Sequence, residues 1–492
     1  MSLPLWWRSR SGPGVARLFR GLGRVVKILG RPGSPDPDAE GYDEWRSLAR
    51  APRWPGPGGL CCRRSSVTPA ARRDPTLNLL QISSLLVVLA AAFGVVNHFF
   101  LRLPQAIGIL VVALAASLVA MGLDVLLPGL AIAATLREVV LGIEFSDALL
   151  EGMLGLLLFA GALHVKLDQL KAQAWAVLLM ATIGVGLSVT VVGLGFTLLA
   201  GVPLLVALVF GAIVSPTDPV AVLGVLREAS LRQELETKIA GESLFNDGVA
   251  YVVFLVLVGL AFPAPGAPEA TFASAALLFV QEAVGGGLLG AVLGWGTFQV
   301  MRRIDDYSLE VLLTLALAFG GYELAIALHV SAPIVAVVSG LLIGHVGMQD
   351  GMSAATREYV DAFWKLVDEI LNAVLFLLIG IEVFALTFET SFLPAIVGGM
   401  VLALAGRFAA VAVPVLLLKP FRELGRDVIP IMTWGGLKGG ISVALALSLP
   451  DSEHKALILT ATYVIVVFSI LVQGLTIAPL ARRLGRGDAA PG

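Results

Sequence analysis

Apolar stretches of about eighteen residues or more recur along this chain from residue 77 onward, and each can cross the ~30 Å hydrocarbon layer of a bilayer as one helix. Lipid offers no partner for a free backbone amide or carbonyl. A crossing segment must therefore close its own hydrogen bonds as a helix or join a closed barrel. The alternating pattern of barrel strands is missing. Only 14% of the residues are charged, against about 25% in a soluble domain. The class that follows is an all-α integral membrane protein.

Thirteen spans fit the pattern: 79–97, 105–127, 146–165, 174–200, 203–226, 240–262, 273–300, 308–329, 332–348, 363–388, 392–418, 427–449 and 456–481. Together they make a transmembrane domain over 77–482. Lys and Arg gather in the loops after odd-numbered spans and in the short tail 483–492. The loops after even-numbered spans hold only Arg137 and Lys455. Cytoplasmic loops carry the positive excess, so the C-terminus is expected inside and the start of span 1 outside.

Residues 1–75 stand apart. They are rich in Arg, Pro and Gly, hold no long apolar run, and carry 14 Lys and Arg on the expected outer side. They read as a disordered basic tail or as a start assigned too far upstream, with 15–29 compatible with a basic amphipathic helix on a membrane surface. Cys61 and Cys62 are adjacent and show no metal-ligand spacing. The net charge of −2 comes with no basic soluble domain for nucleic acid.

Ionisable residues inside a membrane are costly and mark function by default. The sequence GAIVSPTDPVAV (211–222) lies in the middle of span 5. Pro216 and Pro219 bracket Thr217 and Asp218. Each proline removes a backbone donor and clashes with the preceding turn, so the helix should break here and leave half-helix ends that coordinate cations in transporters. On span 6, GESLFNDGVAYVVF (241–254) places Ser243, Asn246 and Asp247 at i, i+3 and i+4, on one face. Glu242 points about 140° away from Asp247. At 1.5 Å per residue Asp218 and Asp247 both fall ~10–12 Å from the inner edge, which brings the two motifs to one level.

In span 12, MTWGGLKGGISVALAL (432–447) surrounds Lys438 with Gly435, Gly436, Gly439 and Gly440, residues that permit unwinding. Spans 5 and 12 are seven apart and run in opposite directions. Broken helices at matching places in two halves mark an inverted repeat: spans 1–6, a linking span 7, and spans 8–13, with spans 5 and 12 discontinuous and crossing. Asp218 and Lys438 would then neutralise the half-helix ends that meet there. Arg407, inside span 11, needs an anionic partner; Glu242 is the expected one and Glu382 the alternative. Glu151, Glu282, Glu310, Glu323, Asp368 and Glu369 read as structural. His164, His329, His345 and His454 form no metal constellation.

SPTDP (215–219), ESLFNDG (242–248), the arginine helix around Arg407 and GLKGG (436–440) together resemble the monovalent cation/proton antiporter-1 family, which includes bacterial NhaP-type sodium/proton antiporters and animal sodium/proton exchangers. The likeness covers about 80–480 and extends to LLLFAGALHVKLDQL (156–170). It implies thirteen spans, a homodimer in the bacterial inner membrane, and a six-helix core moving against a dimerisation bundle. It implies that Asp247, next to Asn246, binds the ion, that Ser243 and Thr217 help coordinate, and that Glu242 pairs with Arg407. An Asn-Asp pair goes with electroneutral exchange in this superfamily. Bacterial relatives often carry a glutamate where this chain has Ala160, and no large regulatory domain is expected after span 13.

The expected activity is exchange of a monovalent cation (Na⁺, with Li⁺ and K⁺ open) for protons, without a cofactor. Both ions need the Asp247 carboxylate, so coupling follows from competition, and alternating access comes from one bundle moving against another. A cation channel needs a continuous filter that the sequence lacks. An intramembrane metalloprotease needs H-E-x-x-H, which is absent. A carrier of organic solutes needs a roomier, apolar site.

Overall fold

The computed structural model describes residues 79–127, 137, 152–218, 233–263, 272–386, 389–419 and 427–485. The expected tail 1–75, Pro219 and the rest of span 5 lie outside the described residues, as does the tail beyond residue 485.

Among the described residues every regular element is helical. In chain order they are α1 Leu79–Val96, α2 Gln105–Leu126, α3 Leu154–Leu163, α4 Leu167–Leu179, α5 Val185–Ala200, α6 Leu204–Ile213, α7 Gln233–Ala261, α8 Phe272–Met301, α9 Tyr307–Leu328, α10 Ala332–Leu342, α11 Ala354–Ile381, α12 Leu393–Leu418, α13 Val428–Trp434, α14 Gly440–Leu447, α15 Lys455–Phe468 and α16 Gly474–Gly485. Wider π turns join several of them: Met180–Gly184 links α4 to α5, and Ser469–Gln473 links α15 to α16. Eight helical stretches among the described residues are long and apolar enough to cross a membrane, and α3, α6 and the stretch from α10 onward are shorter apolar helices.

The ends follow local chemistry. Asp306 caps α9, its carboxylate accepting from the Ser308 and Leu309 amides at 2.9 and 3.2 Å. Hydrogen bonds from the Ser308 hydroxyl and these amides hold the exposed Asp306 carboxyl below its usual range. Ser353 caps α11 by accepting from the Thr356 amide at 3.3 Å. That cap explains a difference from the expected span 363–388: α11 begins at Ala354, nine residues earlier. Its first turns carry Arg357, Glu358 and Asp361, so an apolar-run criterion passes over them.

Packing follows the chain's neighbours and brings distant ones together. α5 lies along α6 and α12, α10 packs between α3 and α8, and α2 lies along α11. The apolar core runs between these groups, with Phe196, Phe210 and Phe376 fully buried in one part and Phe159 and Trp364 in another. Within it lies a cluster of buried polar and charged residues drawn from α7, α12 and two interruptions of the helices.

Candidate functional site

α6 stops at Ile213 and Ser215–Asp218 are non-helical. Pro216 lacks an amide and would clash with the carbonyl four residues back, and the residue before a proline is driven from the helical region. A second interruption falls at 435–439, between α13 and α14, where glycine's cost in a helix favours unwinding.

The two interruptions cross and bind each other. The Asp218 amide donates to the Leu437 carbonyl at 2.8 Å. The Lys438 ammonium donates to the Ser215 and Pro216 carbonyls at 3.1 and 3.3 Å. These carbonyls lie just past the C-terminal, negative end of α6, so Lys438 sits where a cation is favoured. The Asp218 side chain lies against Gly439, at the N-terminal end of α14, where an anion is favoured. A Cβ at Gly439 would stand 2.6 Å from the Asp218 Cβ, so only glycine fits this approach.

Two residues that the sequence reading missed hold the second interruption. Ser469 Oγ accepts from the Lys438 amide at 2.9 Å, and Gln473 Nε2 donates to the Trp434 carbonyl at 3.1 Å. Both belong to the π turn between α15 and α16. A glutamine in an otherwise apolar span was the available signal.

α7 presents its polar face to the first interruption. Thr217 Oγ1 and Ser243 Oγ are 3.0 Å apart. Asn246 Nδ2 is within reach of three acceptors: the Ser215 carbonyl at 3.4 Å, Thr217 Oγ1 at 3.3 Å and Glu242 Oε1 at 3.2 Å. Three acceptors around the nitrogen fix which way the amide points, and its buried Oδ1 accepts no hydrogen bond. Asp247 is 4% exposed, and its Oδ1 likewise accepts none. Its electrostatic neighbours are the Thr217 amide, Asp218, Glu242 and Lys438. Oxygen donors of this kind suit hard cations, and among the described residues no His, Cys, Asp and Glu group has the makings of a transition-metal site.

Glu242 is engaged elsewhere. Arg407 Nη1 and Nη2 donate to its Oε1 and Oε2 at 2.6 and 2.8 Å, a bidentate pair. Arg407 Nε donates to the Met432 carbonyl at 3.1 Å, tying α12 to α13. Glu242 is 1% and Arg407 4% exposed. A Cβ at Gly436 would overlap the guanidinium. The alternative partner, Glu382, is buried beside Tyr463 instead. The sequence reading set Glu242 on a face apart from Asp247. The structure adds that Asn246, one turn beyond Glu242, touches both sets.

Ala160 is fully buried in α3, its carbonyl accepting from His164 Nδ1 at 2.7 Å. His164 also lies 3.4 Å from Asp361, and His345 lies 3.7 Å from Asp168; neither histidine joins the buried cluster.

Comparisons with known proteins agree with this architecture. The model of the transmembrane sodium/hydrogen exchanger family matches residues 77–483. The chain is 47% identical to the Na⁺/H⁺ antiporter NhaP of Pseudomonas aeruginosa, over 83% of this chain and 98% of that one. It is 37% identical to the Na⁺/H⁺ antiporter NhaH of Halobacillus dabanensis, over 69% of this chain and 84% of that one. The solved sodium proton antiporter MjNhaP1 of Methanocaldococcus jannaschii superposes with a TM-score of 0.65 at 19% identity, covering 83% of this chain and 99% of that one.

Proposed function

Because the chain belongs to the sodium/hydrogen exchanger family, we propose that it exchanges Na⁺ for protons across the membrane, with Asp247 as the carboxylate for which the two ions compete. The observation that carries this reading is a charge count in the buried cluster. Three carboxylates, Glu242, Asp218 and Asp247, meet two protein cations, Arg407 and Lys438. Glu242 is satisfied by a bidentate pair. We assign the excess to Asp247, 4% exposed with its Oδ1 buried and without a donor, because Asp218 is only half-buried and lies against the N-terminal end of α14, where an anion is favoured. A buried charge needs a partner, and a proton or a monovalent cation supplies it in turn.

In this reading Asp247, Asn246, Ser243 and Thr217 supply the oxygens, with Asp218 beside them. Glu242 and Arg407 position Asn246 and brace the cluster. Lys438 and Asp218 hold the crossing, and no cofactor takes part. If Asp247 alone titrates, one charge moves each way and the exchange is electroneutral. Alternating access is a movement of the bundle holding the crossing against the rest of the protein. The frame we propose has thirteen spans in two inverted repeats, with α6 and the α13–α14 pair as the broken helices. We place the C-terminus in the cytoplasm and the protein, as a homodimer, in a bacterial inner membrane. The paired interruptions and the asymmetry of Lys and Arg between loops support that frame.

The test is purified protein in proteoliposomes under an imposed pH gradient, with Na⁺, Li⁺ and K⁺ added in turn. Sodium-dependent proton flux in the wild type and none in Asp247→Asn is the expected result. Flux retained in Asp247→Asn would remove Asp247 from its role, and flux with K⁺ but not Na⁺ would change the substrate.

A further inference from the structure

A cavity of about 980 Å³ lies far along the chain from the ion site, between α1 and α11. It is open sideways: Val87 and Val95 on α1 and Leu366 and Ile370 on α11 line it and are about half exposed. Its volume is at the upper end of small-molecule sites. Its lining is divided by chemistry. Along α1 and α11 it is apolar and partly small, with Ala90, Ala91, Gly94 and Ala373 forming a smooth trough. At the end of α1 it is polar, with His98, Arg102 and Gln105, and Glu369 stands on the facing helix.

The polar end is built rather than frayed. Asn97 is buried and holds Leu103 from both sides, its Nδ2 donating to the Leu103 carbonyl at 2.9 Å and its Oδ1 accepting from the Leu103 amide at 3.1 Å. The Arg102 amide donates to the Asn97 carbonyl at 2.7 Å. Between them Arg102 is held at φ 54°, a left-handed conformation uncommon outside glycine. Among the described residues no ion pair engages Arg102 or Glu369.

We infer that this groove binds a phospholipid with a zwitterionic ethanolamine headgroup. The phosphate takes Arg102 and His98, the ammonium takes Glu369, and one acyl chain lies in the trough. The dimensions match. From Val87 to Asn97 the helix rises ~15 Å, half of the ~30 Å hydrocarbon layer, so the trough spans one leaflet with its polar end at headgroup level. The charges select the class. An arginine recruits phosphate, while an opposing carboxylate disfavours a purely anionic lipid and gives an ammonium a partner. α11 continues from this trough to Leu375, against which Gly440 of the second interruption packs, so a seated lipid touches a helix that borders the crossing.

The test is full-length protein in detergent micelles, titrated separately with phosphatidylethanolamine, phosphatidylglycerol and phosphatidylcholine, with bound lipid counted by native mass spectrometry. Wild type is expected to hold one phosphatidylethanolamine about fivefold or more in preference to phosphatidylglycerol, the weight of one partly exposed ion pair. Glu369→Gln should erase or reverse that preference, and Arg102→Gln should weaken both lipids, with melting temperature in lipid-free detergent unchanged. Equal binding of all three lipids in wild type, or an unaltered preference in Glu369→Gln, would overturn the proposal. Arg102→Gln turning dimers into monomers with lipid binding intact would assign the groove to a second copy of the chain and would equally overturn it.

Discussion

Asp247 and Glu242 are five residues apart on one helix, yet their electrostatic company differs. Glu242 has a guanidinium fork at 2.6 and 2.8 Å, whereas Asp247 Oδ1 has no donor. Removing one partner of a buried ion pair leaves an uncompensated charge and costs about 3–5 kcal/mol. Arg407→Ala should therefore lower the melting temperature of the purified protein sharply, and Arg407→Ala combined with Glu242→Gln should recover part of the loss. A fully additive double variant would mean that the two residues act separately. Asp247→Asn removes no such pair, so it should melt near wild type while transport is lost. For simple competition at one carboxylate, acidification raises the apparent KM for Na⁺ by up to about tenfold per pH unit with the maximal rate unchanged; a falling maximal rate at constant KM would exclude that scheme. The i, i+3, i+4 spacing of Ser243, Asn246 and Asp247 was legible in the sequence because helix geometry alone sets it. Glu242 was the expected partner of Arg407, with Glu382 the alternative, but helix geometry alone could not choose between two carboxylates in apolar spans, and it is the folded chain that brings Glu242 within reach.

Helices carry the next level, and their interruptions matter more than their lengths. Two prolines announced the break after Ile213 and a glycine cluster announced that at 435–439. The use made of them is tertiary: Lys438 donates to carbonyls of the first interruption, and Ser469 accepts from the amide of Lys438 itself. Gly439→Ala should be poorly tolerated, because its Cβ would stand 2.6 Å from that of Asp218. Overpacking of this kind costs about 1–3 kcal/mol, and transport should fall further than stability, since the strain lands on the crossing. Near-normal transport by Gly439→Ala in proteoliposomes would show that the crossing yields. Ser469→Ala, which removes one acceptor from a buried amide, should cost about 1–3 kcal/mol in thermal unfolding. Neither Ser469 nor Gln473 stands out by spacing, because the helix that carries them is read only as apolar.

For the whole molecule, hydropathy marked a chain of apolar helices, eight of them among the described residues long enough to cross a membrane. It set the beginnings of α7 and α11 too late, and the capped first turns of α11 are charged. In the topology we propose from the distribution of Lys and Arg, residues 450–454 face outward. A single cysteine at Ser452, in a background with Cys61 and Cys62 replaced by serine, should react with an impermeant maleimide added to intact cells. Protection in cells with labelling only after lysis would invert the topology without touching the ion site.

The sequence by itself determined that the chain is a bundle of membrane helices, where two of them fail, and which carboxylate lies on an oxygen-rich face. Those properties follow from local rules: transfer of side chains to lipid, the missing proline amide, and the 3.6-residue turn. Only the tertiary structure decided which charges cancel. Arg407 and Glu242 are 165 residues apart in the chain, and Lys438 lies 223 residues from Ser215. Pairings at such distances depend on how the helices pack, and that packing gives Glu242 its guanidinium and leaves Asp247 Oδ1 without a donor.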